Sequence, residues 1–186
     1  MNNQNDQSSL PEVKKPGGRE EAMEKVLASF SGYYNIDKNP DSALTAKGVT
    51  ALAEFHLHDE QYFLVRSARL SEADVHEFVF FASVEELDAA KLEDLCETAW
   101  EEGMKKALPR ANHRSSDVTL IILADRILPE AALAAKKWKR SKTYKFGFWG
   151  YSHFRLVVYD LDRHVAVRNP MGASHAGVIS NIFKKS

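Results

Sequence analysis

Val75-His76-Glu77-Phe78-Val79-Phe80-Phe81-Ala82 is the stretch that decides the fold. After Glu77 the run is apolar without alternation, the pattern of a strand covered on both faces. Residues 117–124 repeat it, and Val118-Thr119-Leu120-Ile121-Ile122-Leu123-Ala124 is the most apolar segment of the chain. Such a segment falls far short of the ~20 residues a membrane-spanning helix needs. Two buried strands of this kind imply a sheet with helices packed on it.

Upstream, Val49, Ala51, Ala53, Phe55 and Leu57 alternate along a strand. His58-Asp59-Glu60-Gln61 reads as a hairpin connection to another strand over 62–70. Earlier still, Met23, Val26, Leu27 and Phe30 recur at helical spacing, and that helix ends at Gly32. Asn39-Pro40-Asp41 marks a turn. Downstream, a helix is predicted over 84–108 and closed by Pro109, with Leu87, Leu92, Leu95, Cys96 and Ala99 facing inward. Pro129 starts a second helix that runs to about Arg140, with Leu128, Ala131, Ala135 and Trp138 as its stripe. Strands are predicted over 143–149, 154–161 and 165–168. A turn at Asn169-Pro170-Met171-Gly172 and a short helix over 178–183 complete the chain.

The expected order is α-β-β-β-α-β-α-β-β-β, an α+β class with a mixed or antiparallel sheet; no βαβα alternation stands out to demand a parallel one. Residues 1–19 are polar, with Pro11, Pro16, Gly17 and Gly18, and read as a disordered tail. Residues 20–186 read as one domain, the usual size for a single core.

Bulk composition narrows the function classes only a little. The 44% apolar and 27% charged fractions are ordinary for a globular protein. The lone cysteine, Cys96, excludes an intrachain disulfide and suits a reducing cytoplasm, as does a start with no basic, apolar leader. Cys96 sits on an apolar helical stripe beside Glu93, Asp94 and Glu97, surroundings of the wrong sign for a reactive thiol. The net charge of −1 hides two opposed halves: residues 1–104 carry 9 basic and 21 acidic side chains, residues 105–186 carry 16 and 5. That layout suits polyanion binding at one surface, head-to-tail self-association, or pairing within the fold.

Several constellations carry possible chemistry. Lys136, Lys137, Trp138, Lys139, Arg140, Lys142, Tyr144 and Lys145 form a strip with six cations in ten residues and two aromatics between them. Cations with interleaved rings suit phosphate contact and base stacking; Trp138 also completes a helix stripe, and lysines suit a helix C-terminus. Arg155 and His113 are added to this candidate surface. Glu54, His56 and His58 share one face of a strand, a ligand set suited to zinc or non-haem iron, although alternation alone also makes that face polar. Ser152-His153 are adjacent, so a strand points them to opposite faces, and no G-x-S-x-G surrounds them. Gly147-Phe148-Trp149-Gly150 matches neither a P-loop nor a dinucleotide fingerprint, and reads as tight packing or a bulge. No cofactor is implied.

Asn112-His113, Thr119-Leu120-Ile121-Ile122, the run from Lys142 to Gly150, Arg155, Asp160-Leu161 and Asn169 resemble a family of small uncharacterised proteins from anaerobic Gram-positive bacteria. The resemblance spans about 20–175 and transfers no activity. The helix–three strands–helix–strand order also resembles the core of the PD-(D/E)XK nucleases. Glu77 falls where a metal-binding carboxylate belongs, but Val79 stands in place of the lysine, and the preceding strand offers Arg66 and Arg69 without an acid. The expectation is a non-catalytic binding module for a nucleic acid or other anionic partner. The alternatives are a metal-dependent hydrolase-type enzyme on Glu54, His56 and His58, and a self-associating structural protein.

Overall fold

The computed structural model describes residues 18–57, 74–107 and 113–184. The elements are α1 (Arg19–Phe30), β1 (Asn35–Asp37), α2 (Ser42–Lys47), β2 (Val49–Leu57), β3 (Asp74–Leu87), α3 (Ala89–Lys106), β4 (His113–Ile127), α4 (Pro129–Lys137), β5 (Ser141–Thr143), β6 (Tyr151–Asp160), β7 (Val165–Arg168) and α5 (Ala173–Lys184). Seven strands form one mixed sheet in the order β1-β2-β3-β4-β6-β5, with β7 also paired to β6. The structure is therefore α+β, as the two apolar runs imply.

Those two runs lie side by side at the centre. β3 and β4 pair in parallel, Phe78 opposite Val118 and Phe80 opposite Leu120, and β6 continues the parallel group. Each strand splits its side chains between two cores. Phe78, Phe80, Leu120, Ile122, Leu156 and Val158 meet α3 and α4; Val79, Phe81, Ile121, Leu123, Val157 and Tyr159 meet α1 and α5. Cys96 is wholly buried in the first of these cores. Burial, then Glu93 and Glu97, push its thiol well up, which leaves it unreactive.

The expected lack of βαβ alternation is corrected: β3-α3-β4 and β4-α4-β6 are both parallel crossover units. The predicted helix start at 84 is also corrected. Residues 84–87 stay in β3, with Leu87 opposite Ile127, and α3 starts only after Asp88, whose carboxylate accepts the Lys91 N–H at 2.7 Å. Pairing along β4 outweighs the local helical preference of Glu85 and Glu86. The Asn39-Pro40-Asp41 turn leads into the unpredicted α2, which Asp41 caps through the Leu44 N–H. A register shift between Val49 and Ala51 moves Val49 to the opposite core from Ala51 and Ala53. The strand predicted over 62–70 and the tail over 1–17 lie outside the described residues.

The third correction shapes the candidate site. Residues 143–149 do not form a strand: β5 stops at Thr143 and a compact turn follows. Lys145, Phe146, Gly147 and Gly150 all have positive φ, a conformation incompatible with a continuous strand. Gly147, at φ +95°, supplies the backbone freedom that a side chain would strain.

Candidate nucleic-acid interface

β5 and the first residues of β6 form a hairpin, with Ser141 opposite His153 and Thr143 opposite Tyr151. The turn between them is held by its own backbone bonds: Tyr144 N–H to Gly150 C=O at 3.0 Å, Gly147 N–H to Tyr144 C=O at 2.9 Å and Phe148 N–H to Lys145 C=O at 3.1 Å. This ordered turn displays aromatic rings in water. Phe146 is 100% exposed and Phe148 84%, and Trp149 and Tyr151 are partly exposed beside them. Lys145 lies 5.1 Å from the centre of the Trp149 ring, and Lys142 lies 5.5 Å from that of Tyr144. Covering one fully exposed Phe is worth about 1.5–3 kcal/mol, a gain the isolated chain does not realise here.

The remainder of the basic strip divides into structural and displayed residues. Trp138 is buried and donates its indole N–H to Glu93 at 2.9 Å; Arg140 pairs with Glu97 and sits over the Trp138 ring. Tyr144 is buried, its hydroxyl 3.0 Å from Ser152 Oγ. These two rings, expected to stack on a ligand, instead fasten the strip to α3 and β6. Part of the acidic–basic polarity of the sequence is thereby paired inside the fold. Lys136, Lys137, Lys139, Lys142 and Lys145 stay exposed, and among the described residues they form no ion pair. A groove of about 320 Å³ opens at the base of the hairpin, between Lys139, Arg140, Ser141 and His153 on one side and Pro170 and Met171 on the other.

Arg155 is not part of that display. It belongs to a charged cluster on the α1/α5 face of the sheet. Its Nη1 donates to Glu77 Oε1 at 2.7 Å and its Nη2 to Asp117 Oδ2 at 2.6 Å. Glu77 also accepts from the Tyr34 hydroxyl at 2.6 Å and the Thr119 hydroxyl at 2.5 Å, and His175 Nε2 lies 3.2 Å from it. The His153 backbone N–H donates to Asp117 at 3.2 Å. Burial alone would raise Glu77, but the hydrogen bond and charge of His175, with the Thr119 and Tyr34 hydroxyls, hold its carboxyl well below the usual range. Burial raises Asp117, with Arg155 opposing. Burial and the Glu77 carboxylate push the Tyr34 phenol up. The cluster ties three strands to α5 and to the segment after α1; with each carboxylate oxygen occupied, it fits a structural lock better than an open catalytic site.

The other sequence candidates separate. Glu54 pairs with Lys106 at the end of α3. His56 stands opposite His76 on β2, and His113 opens β4 opposite Asp74; the side chains of His56 and His113, and all of His58, lie outside the described residues. β3 lies between His56 and His113 in the sheet, and the register offsets them by a further two residues along it. Among the described residues no cluster of three or more His, Cys, Asp or Glu is placed to hold a metal. Nor is any helix there long and apolar enough to cross a membrane.

Sequence reasoning missed Phe146, Phe148, Trp149 and Tyr151 because alternation with glycine mimics a strand. It missed Tyr34, Asp117 and His175 because partners up to 98 residues apart leave no local spacing to read. The residues marked by resemblance divide as well. Thr119 and Arg155 join the lock. Asp160 accepts the Ile127 N–H at 3.0 Å, and Asn169 bonds the backbone of Trp138, Phe154, Leu156 and Gly172. The run from 142 to 149, Tyr144 apart, is displayed.

A family model described as a domain of unknown function (DUF8052) matches residues 18–181, and the chain belongs to that family. No curated protein and no solved structure matches it.

Proposed function

We propose that this chain is a non-catalytic module that binds single-stranded nucleic acid through the hairpin at residues 141–151. The observation that carries the reading is the pair of phenylalanines held in water by a hydrogen-bonded turn, with Lys142 and Lys145 close in the chain. Rings of this kind stack on bases of any sequence, and lysines follow the phosphates. Two non-glycine residues in the left-handed region cost free energy, of order 1–3 kcal/mol each; a turn that keeps its rings exposed at that cost suits a surface used for binding. The setting we infer is the cytoplasm, in bacteria of the anaerobic Gram-positive group whose proteins the sequence resembles.

The competing readings have less support. A nuclease would need free carboxylates beside a lysine, whereas Glu77 is saturated and Val79 occupies the lysine position. A metal enzyme on Glu54 competes with Lys106. Head-to-tail association through α3 would compete with Trp138 and Arg140, which already use Glu93 and Glu97.

Fluorescence anisotropy with short labelled single-stranded DNA and RNA across a salt series tests the reading. Binding that weakens steeply with salt is expected. No binding at low salt, or equal retention of the wild type and a Phe146→Ala, Phe148→Ala variant, overturns it; vesicle binding without oligonucleotide binding would replace it with a membrane role.

A further inference from the structure

The rings at the hairpin tip lead toward the groove. Tyr151 and His153 lie two residues apart on β6 and therefore on one face, with ring centres 4.7 Å apart. Tyr151 is opposite Thr143, where the turn leaves β5, and His153 is opposite Ser141, in the groove wall. From the turn that carries exposed Phe146 and Phe148, β6 thus runs through Tyr151 to His153. There Lys139, Arg140 and Ser141 line a pocket of about 320 Å³, the scale of one small ligand. Across the pocket lies the half-exposed thioether side chain of Met171, a group that makes favourable contacts with aromatic rings.

The charge balance of the pocket suits an anion. Lys139 has no carboxylate partner among the described residues. Arg140 uses Nη2 on Glu97, which leaves its other N–H groups. Asp117 holds the His153 backbone in place while its own charge is met by Arg155. Glu97 meets the Arg140 charge, so Lys139 is the uncompensated cation; with the remaining guanidinium N–H groups and a hydroxyl it offers donors for the three acceptor oxygens of a terminal phosphate, more than the two unbridged oxygens that an internal phosphodiester presents.

We infer that the groove between Lys139, Arg140, Ser141, His153 and Met171 holds a nucleotide with a terminal phosphate, the phosphate at the cations and the base against Met171. This rests on the nucleic-acid reading of the hairpin and adds to it: the module would bind strand ends in preference to interiors. The same chemistry is presented by a free nucleoside monophosphate, so the test carries both forms.

Labelled oligonucleotides of one sequence, carrying a 5′-phosphate, a 3′-phosphate or neither, are titrated into the wild type, a Lys139→Ala, Ser141→Ala variant and a Phe146→Ala, Phe148→Ala variant, each checked for folding by its thermal transition. Adenosine and cytidine monophosphates are titrated separately and as competitors. One phosphorylated end is expected to bind about tenfold tighter than the bare strand, as charge-assisted hydrogen bonds require. The groove variant should erase that difference, whereas the hairpin variant should weaken all three strands and keep the difference between phosphorylated and bare ends. Equal affinity for phosphorylated and bare strands overturns the groove inference and leaves the hairpin reading standing. Mononucleotide binding lost in the groove variant, without any oligonucleotide binding, supports the groove and overturns the hairpin. Absence of all binding overturns both.

Discussion

The hairpin at 141–151 and the Glu77 cluster lie on neighbouring stretches of β6, yet they treat their costly groups in opposite ways. Glu77, Asp117 and Arg155 are charges withdrawn from water, and every one of them meets a partner within 2.7 Å. Phe146 and Phe148 are apolar rings left in water with no burial to recover. A buried charge without partners would cost the fold several kcal/mol, so folding stability is enough to explain the cluster. An exposed ring contributes little to folding, so folding alone does not account for the hairpin, and it is there that we propose a partner. Satisfied polar groups therefore mark the frame, and unsatisfied apolar ones mark the candidate surface.

The largest expected effect tests the frame. Glu77→Ala takes from Arg155 one of its two carboxylate partners and removes the acceptor shared by Tyr34, Thr119 and His175, and should cost about 3–5 kcal/mol in urea unfolding; a loss under about 1 kcal/mol would mean the cluster is not a lock. Next comes the hairpin. The Phe146→Ala, Phe148→Ala variant should weaken oligonucleotide binding by about 1–3 kcal/mol per stacked base. Its unfolding free energy should stay within about 0.5 kcal/mol of wild type. A drop in stability instead would show that the rings belong to the core and would dissolve the contrast.

Acid titration sharpens the frame further. Glu77 is depressed in the folded state, so its stabilising contribution is present above the unfolded glutamate value of about 4.3 and is lost as pH falls through that range and below. Asp117, raised by burial, has the opposite sign: its charged form costs stability, and that cost is relieved as pH falls. Urea melts should therefore show the wild type losing stability below about pH 4, and Glu77→Gln, less stable at neutral pH, should show a shallower acid slope. Parallel curves would exclude Glu77 as the source. The smallest effect belongs to the lysines. Lys142→Ala with Lys145→Ala should reduce the slope of log affinity against log salt by about 0.7 for each phosphate no longer neutralised, with the thermal transition unchanged; an unaltered slope would leave the rings alone holding the strand.

Much of the frame was legible because it obeys local periodicity. The unbroken apolar runs in β3 and β4 mark strands with two covered faces, and β7 falls at the predicted residues. Where the reading failed, a long-range or turn-level term outweighed the pattern. Residues 84–87 have helical composition but pair with β4. The glycines and rings of 143–149 alternate like a strand, yet positive φ angles at Lys145, Phe146, Gly147 and Gly150 fold the segment into a turn. The candidate site was half legible for the same reason. The cations of the strip could be counted, but whether Trp138 and Tyr144 faced solvent depended on α3 and Ser152.

The sequence by itself determined the class of fold, the burial of Cys96 and the opposed charges of the two halves, since composition and spacing carry those properties along the chain. Tertiary structure alone decided which charges cancel. Glu93 and Glu97 meet Trp138 and Arg140 because α3 packs beside α4, and Glu77 meets Arg155 because β3, β4 and β6 lie in register. It also decided which aromatics remain in water: exposure depends on what packs against a residue, and those neighbours are distant in the chain.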